Sequence, residues 1–141
     1  MPPTITDTPS LQDARYVFVY GTLRRGELLD INRLQPAPVF IGNAQIKGKL
    51  YDFGRYPGLR LGGAQWVQGE VYQITPELER QLDEIEEVRP QQTGEYARQE
   101  VVVQCAALAL TCLVYEAAAE RVQGHAVIDS GDWRQRGPAA R

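Results

Sequence analysis

The spacing of apolar and polar residues changes several times along the chain, and each change marks an element. Residues 16–20, Tyr-Val-Phe-Val-Tyr, are an unbroken β-branched and aromatic run. A strand with one wet face would alternate, so this run predicts a strand covered on both faces. Gly21 and Thr22 stop it. A short helix is expected from Glu27 to Leu34, ended by Pro36, which supplies no amide and crowds the preceding turn. Val39 to Asp52 reads as one long strand, with Gly42 and Gly48 as bend or bulge points. Tyr56-Pro57-Gly58 makes a turn and Ala64 to Ile74 a further strand. At Thr75 the period becomes helical. Thr75 is a helix cap, Pro76 fits the first helical position, Glu77 and Glu79 place acids in the first turn, and Leu78, Leu82 and Ile85 recur at i, i+4 and i+7. This predicts a helix from Thr75 to Val88. Tyr96–Cys105 and Leu108–Tyr115 predict a hairpin turning at Ala106-Ala107.

The resulting pattern is α+β, with strands predominating. Residues 1–14 are expected to be a flexible N-terminal segment, 15–129 a single domain and 130–141 a C-terminal tail, part of which Trp133 is placed to pin. A chain of 141 residues suffices for one real core. The formal charge of −3 comes without a basic stripe, which argues against a nucleic-acid partner. The first fifteen residues lack an apolar targeting core and nowhere is there an 18-residue apolar span, so no membrane association and a cytoplasmic location are expected. Cys105 and Cys112 stand apart from any second Cys or His at metal-ligand spacing; two buried thiols are favoured, and no metal site. His125 is the sole histidine and Ser10 and Ser130 the sole serines, all outside the predicted strands, which leaves no basis for a Ser-His-Asp hydrolase.

Two segments carry candidate chemistry. Gly21-Thr22-Leu23 follows the buried strand directly, where a glycine admits unusual backbone angles and close approach of a ligand, so that consecutive N–H groups can converge on an anionic or carbonyl oxygen. Taken alone, the tetrapeptide Tyr20–Leu23 favours the simpler reading, a plain β-turn whose Thr bonds its own backbone. The second segment is the helix. Glu86 falls at the edge of the apolar stripe near the C-terminus, where the macrodipole disfavours a carboxylate. Glu77, Glu79, Asp83, Glu84 and Glu87 read as a solvated face. Arg24 and Arg25 read either as solvated charges at a helix entry or as partners of a substrate carboxylate, and Tyr115, Trp66 and Phe53 as packing residues.

Tyr20-Gly21-Thr22-Leu23-Arg24 after the first strand, then Tyr56-Pro57-Gly58-Leu59, Val67-Gln68-Gly69-Glu70-Val71-Tyr72, Leu82-Asp83-Glu84-Ile85-Glu86 and Tyr96-Ala97-Arg98 occur in this order. Together they resemble the gamma-glutamylcyclotransferase-like family, in the branch of gamma-glutamylamine cyclotransferases and small bacterial homologues. Gly131-Asp132-Trp133-Arg134 is similar to the family's closing segment. The resemblance implies a small mixed β-barrel flanked by a few helices. It also implies a reaction without metal or organic cofactor, in which the α-amino group of a γ-glutamyl amine or amino acid attacks its own γ-carbonyl and releases 5-oxoproline. Glu86 would be the acid/base, Tyr20, Gly21, Thr22, Leu23 and Tyr96 the substrate-binding residues, and a small γ-glutamyl compound the partner. Where the family often has Gly after that glutamate, this chain has Glu87. A non-catalytic binding protein using the same pocket, and a lyase-like or transferase step on a γ-glutamyl intermediate, are the competing readings. No motif encodes the leaving amine or the oligomeric state.

Overall fold

The computed structural model describes residues 15–87 and 96–135, with the backbone alone at Glu86 and Glu87. Within them run the strands β1 (Arg15–Val19), β2 (Val39–Asp52), β3 (Pro57–Leu61), β4 (Gln65–Ile74), β5 (Tyr96–Cys105) and β6 (Leu108–Ala117), with helix α1 (Pro76–Glu87) between β4 and β5. The strands form one sheet in the order β3-β2-β4-β1-β6-β5. It is mixed because β1 and β6 pair in parallel, Tyr16 beside Cys112 and Val17 beside Leu113, whereas the other neighbours are antiparallel.

β1 is interior to this sheet and buried on both faces, which is why its sequence does not alternate. Phe18 enters an inner core with Leu50, Val67, Val71, Val114 and Trp133, while Val17 and Val19 enter an outer core with Tyr72, Leu78, Leu82 and Leu113. The sheet curls so that its edges turn inward. Arg60 of β3 donates to the Ala117 carbonyl of β6 at 2.9 Å, and Glu116 accepts from the Leu61 amide at 2.9 Å. On the other edge, Cys105 Sγ lies 3.7 Å from the Asn43 carbonyl of β2. The architecture is therefore a curled half-barrel with a helix laid across it, as expected.

Several local expectations are corrected. The helix anticipated from Glu27 to Leu34 is a series of turns with a 3-10 segment at Ile31–Arg33. Asp30 explains the difference: one carboxylate oxygen accepts from the Gly26 amide at 2.9 Å and the other from the Asn32 amide at 2.9 Å, so the side chain competes with the helical ladder. Burial opposes ionisation of Asp30, but these amide donors outweigh it and hold the carboxyl below its ordinary value. β2 does slip register between Phe40 and Gly42, but Gly48 stays in register with both Leu61 and Gln65. Its role is close packing, because a Cβ there would lie 2.7 Å from the Arg60 carbonyl.

The segment beyond β6 is packed against the body as far as residue 135. Ile128 N donates to the Leu50 carbonyl at 2.7 Å, Gln68 N to that of Gly131 at 2.8 Å, and Trp133 is buried in the inner core. The start of the expected tail thus completes that core. The two cysteines are free thiols and both buried.

Helix α1 begins as its sequence requires. Thr75 Oγ1 accepts from the Leu78 amide at 3.0 Å, and Leu78 and Leu82 are fully buried. Its acids are less solvated than the pattern suggested. Arg15 of β1 grips Glu79 with two bonds of 2.8 and 2.7 Å, Arg98 of β5 reaches the same carboxylate, and Arg98 also pairs with Asp83 at 2.9 Å. The hydrogen bonds from Arg15 hold the Glu79 carboxyl below its ordinary value of 4.5. A depressed carboxylate contributes stability that is complete above its unfolded pKa and is lost as pH falls through the folded one. The destabilisation caused by Arg15→Ala is therefore expected to be larger at neutral pH than at an acidic pH low enough to protonate Glu79 in the folded state. Urea denaturation at both pH values measures this; an equal loss at the two would rule out the ion pair as the cause.

Candidate functional site

Because β1 and β6 run parallel, their C-terminal ends reach the same margin of the sheet, and β3 and β5, which run the other way, begin there. A cleft forms at this junction, lined by Tyr20, Gly21, Thr22 and Leu23 after β1, Tyr56 and Pro57 at the start of β3, Tyr96 of β5 and Tyr115 of β6. The cleft is a slot of about 350 Å³ counting its open mouth. All five residues assigned to substrate binding from the sequence line this one cleft. A wider and shallower groove lies on the outer face of β2 and β4, where Trp66 is 47 % exposed beneath the Lys47 ammonium, 4.4 Å from its ring centre. Trp66 is thus a surface residue rather than a packing one.

The slot is held open by bonds among its own walls. Tyr20 donates its hydroxyl to the Tyr115 carbonyl at 2.6 Å and accepts from the Leu59 amide at 3.3 Å, so the phenol ties β1 to β6 and β3. Tyr96 donates to the Pro57 carbonyl at 2.8 Å. Gly21 is needed for room rather than for a left-handed backbone: it is not among the positive-φ residues, and a Cβ on it would lie 2.5 Å from the Pro57 ring. The turn's carbonyls are engaged away from the slot, that of Gly21 by Arg24 N at 3.0 Å, that of Thr22 by Leu29 N at 2.9 Å and that of Leu23 by Ile31 N at 2.9 Å. These bonds fix the backbone of the turn.

Glu86 sits in the last turn of α1, and its side chain lies outside the described residues. Three residues earlier, Asp83 accepts the Tyr115 hydroxyl at 2.5 Å. Tyr115, read from the sequence as packing, is both buried and a wall of the slot.

Behind the turn lies a charged cluster that sequence reasoning missed. Arg24, 7 % exposed, pairs with Glu70 at 3.3 Å and with Asp132 at 2.8 Å. Glu70, 2 % exposed, also accepts the Arg25 amide at 2.9 Å and the Tyr72 hydroxyl at 2.8 Å, and Arg134 approaches it at 3.6 Å. Burial pushes the Tyr72 phenol up to about 12. Arg24 is consumed internally, so neither the solvated charge nor the substrate-carboxylate role describes it. The signal was available in Gly69-Glu70-Val71-Tyr72, where an acid is the one charged residue of its strand and stands among apolar neighbours. Among the described residues no group of His, Cys, Asp and Glu could hold a metal ion, and no helix is long and apolar enough to cross a membrane. His125 is exposed, its ring 4.7 Å from that of Phe53.

Comparison with known proteins agrees with this geometry. The family model described as "Gamma-glutamyl cyclotransferase, AIG2-like" matches residues 17–135, from β1 through the Trp133 segment. A Vibrio cholerae protein named "Putative gamma-glutamylcyclotransferase" is 39 % identical over 122 residues, covering 85 % of this chain and 96 % of that protein. A Niallia circulans protein named "Gamma-L-glutamyl-butirosin B gamma-glutamyl cyclotransferase" is 43 % identical over 72 residues, half of this chain and 45 % of that one. Among solved structures, an AIG2-like protein from Mus musculus superposes with a TM-score of 0.69 at 26 % identity, over 89 % of this chain and 92 % of that one. The chain belongs to the gamma-glutamyl cyclotransferase, AIG2-like family.

Proposed function

We propose that the protein cyclises a γ-glutamyl amine or γ-glutamyl amino acid, releasing the free amine and 5-oxoproline. The observation that carries this reading is that Tyr96 lines the same slot as the contiguous turn Tyr20–Leu23, although it lies far from that turn in sequence. The substrate's α-ammonium must lose a proton before its nitrogen can attack the γ-carbonyl, and the departing amine must gain one. Glu86 serves both needs in turn, first as carboxylate and then as carboxylic acid. The oxygen of the attacked carbonyl becomes anionic as the ring closes. The amides of Gly21, Thr22 and Leu23 are the donors proposed for it and for the substrate's α-carboxylate; one such donor is worth on the order of 3 kcal/mol in an acyl-transfer site. Tyr20 and Tyr96 orient the chain of the γ-glutamyl group.

The test is a panel of γ-glutamyl amines and amino acids incubated with purified protein, with 5-oxoproline read by mass spectrometry. Release from at least one class is expected. Binding of panel members without release from any would favour the non-catalytic alternative. The same assay reports on the turn: Gly21→Val presses its side chain into Pro57, and is expected to lose substrate affinity and turnover together with about 1–3 kcal/mol of stability. Unchanged affinity in that variant would remove the turn from the site.

A further inference from the structure

Helix α1 carries two stripes. Leu78, Leu82 and Ile85 form the apolar one, packed on the outer core. Beside it, Glu79, Asp83 and Glu86 recur at i, i+4 and i+7, so they share one face of the helix. The first two members are clamped from three strands: Glu79 by Arg15 of β1 and Arg98 of β5, Asp83 by Arg98 and by the Tyr115 hydroxyl of β6. Of these, the Tyr115–Asp83 bond, at 2.5 Å, is the one made by a residue that lines the slot. An apolar stripe alone tolerates small rotations and slides of a helix; a short bond from a buried phenol does not.

We propose that Asp83 and Tyr115 are positioning residues for the reaction, fixing the rotation and height of the last turn of α1 so that the next member of the stripe, Glu86, is delivered to the slot. This rests on the acid/base reading of Glu86. The pair does not exchange protons with substrate; it sets where the exchanging group stands. Misplacing a catalytic group by about 1 Å costs on the order of 10²-fold in rate.

Tyr115→Phe keeps the ring in the wall of the slot and removes the hydroxyl alone. It is expected to lower kcat by about 10- to 100-fold with little change in KM. Asp83→Ala should do the same, and Asp83→Asn, which keeps an acceptor for the phenol, should recover part of the loss at a thermal stability comparable to that of Asp83→Ala. In a Glu86→Gln background Tyr115→Phe should slow the residual reaction no further. Parental kcat in Tyr115→Phe, or full additivity with Glu86→Gln, overturns the clamp while leaving the acid/base role of Glu86 standing. Parental activity in Glu86→Gln itself overturns that role, and the clamp with it.

Discussion

Glu86→Gln is expected to fold as the parent does and to lower kcat by a factor on the order of 10²–10⁴, the usual contribution of a positioned acid/base group. Glutamine preserves the length and hydrogen-bonding shape of the side chain but neither accepts a proton from an ammonium nor returns one to a leaving amine. The loss should therefore fall on turnover and spare KM, and circular dichroism should show an unchanged helix and sheet. Glu87→Gln is the control, because the next residue on a helix points about 100° away. Its activity is expected within a few-fold of the parent's. If Glu87 proves essential and Glu86 dispensable, the acid/base assignment moves by one residue; if neither matters, the reaction does not use this helix.

Arg24→Met is expected to destabilise the protein by about 3–5 kcal/mol, because it leaves the buried Glu70 and the part-buried Asp132 without the guanidinium that pairs with both. The cost reflects an abandoned carboxylate more than the intrinsic worth of the pair. The double variant Arg24→Met with Glu70→Gln should accordingly recover part of the stability, a coupling that urea denaturation of the two single variants and the double variant resolves. Activity should not recover in parallel. The Glu70 carboxylate also holds the Arg25 amide and thereby the end of the turn that lines the slot. A loss below about 1 kcal/mol in Arg24→Met, as for an exposed pair, would show that water or Arg134 compensates for the missing guanidinium.

What the sequence revealed and what it hid follow from the range of the interactions involved. β1, helix α1 and the β5–β6 hairpin were legible because their determinants are local: a non-alternating apolar run, a Thr-Pro cap followed by a 3.6-residue period, and two strand-like runs that meet at Ala106-Ala107. The segment after Leu23 was misread as a helix because Asp30 decides it, folding its carboxylate back onto Gly26 and Asn32. Residues 130–135 were read as the start of a tail because what holds them is distant: Trp133 packs in the inner core, and Asp132 meets Arg24 108 residues earlier. Glu79 and Asp83 looked like solvated acids for the same reason, since their cations arrive from β1 and β5. The residues of the slot were picked out by motif resemblance; their meeting at the margin of the sheet depends on the parallel pairing of β1 with β6, which no local pattern encodes.

The separation of Arg24 from Asp132 also sets an order in time. During synthesis the turn after β1 leaves the ribosome well before Asp132, the carboxylate that completes the Arg24 cluster 108 residues later. At typical elongation rates that is a wait of roughly 5–20 s. Through this interval the nascent chain can form its hairpins and α1, but the support behind the turn stays unfinished. The support behind the turn should thus be complete only once Asp132 has emerged, and messages cut short before its codon should yield products that are readily degraded.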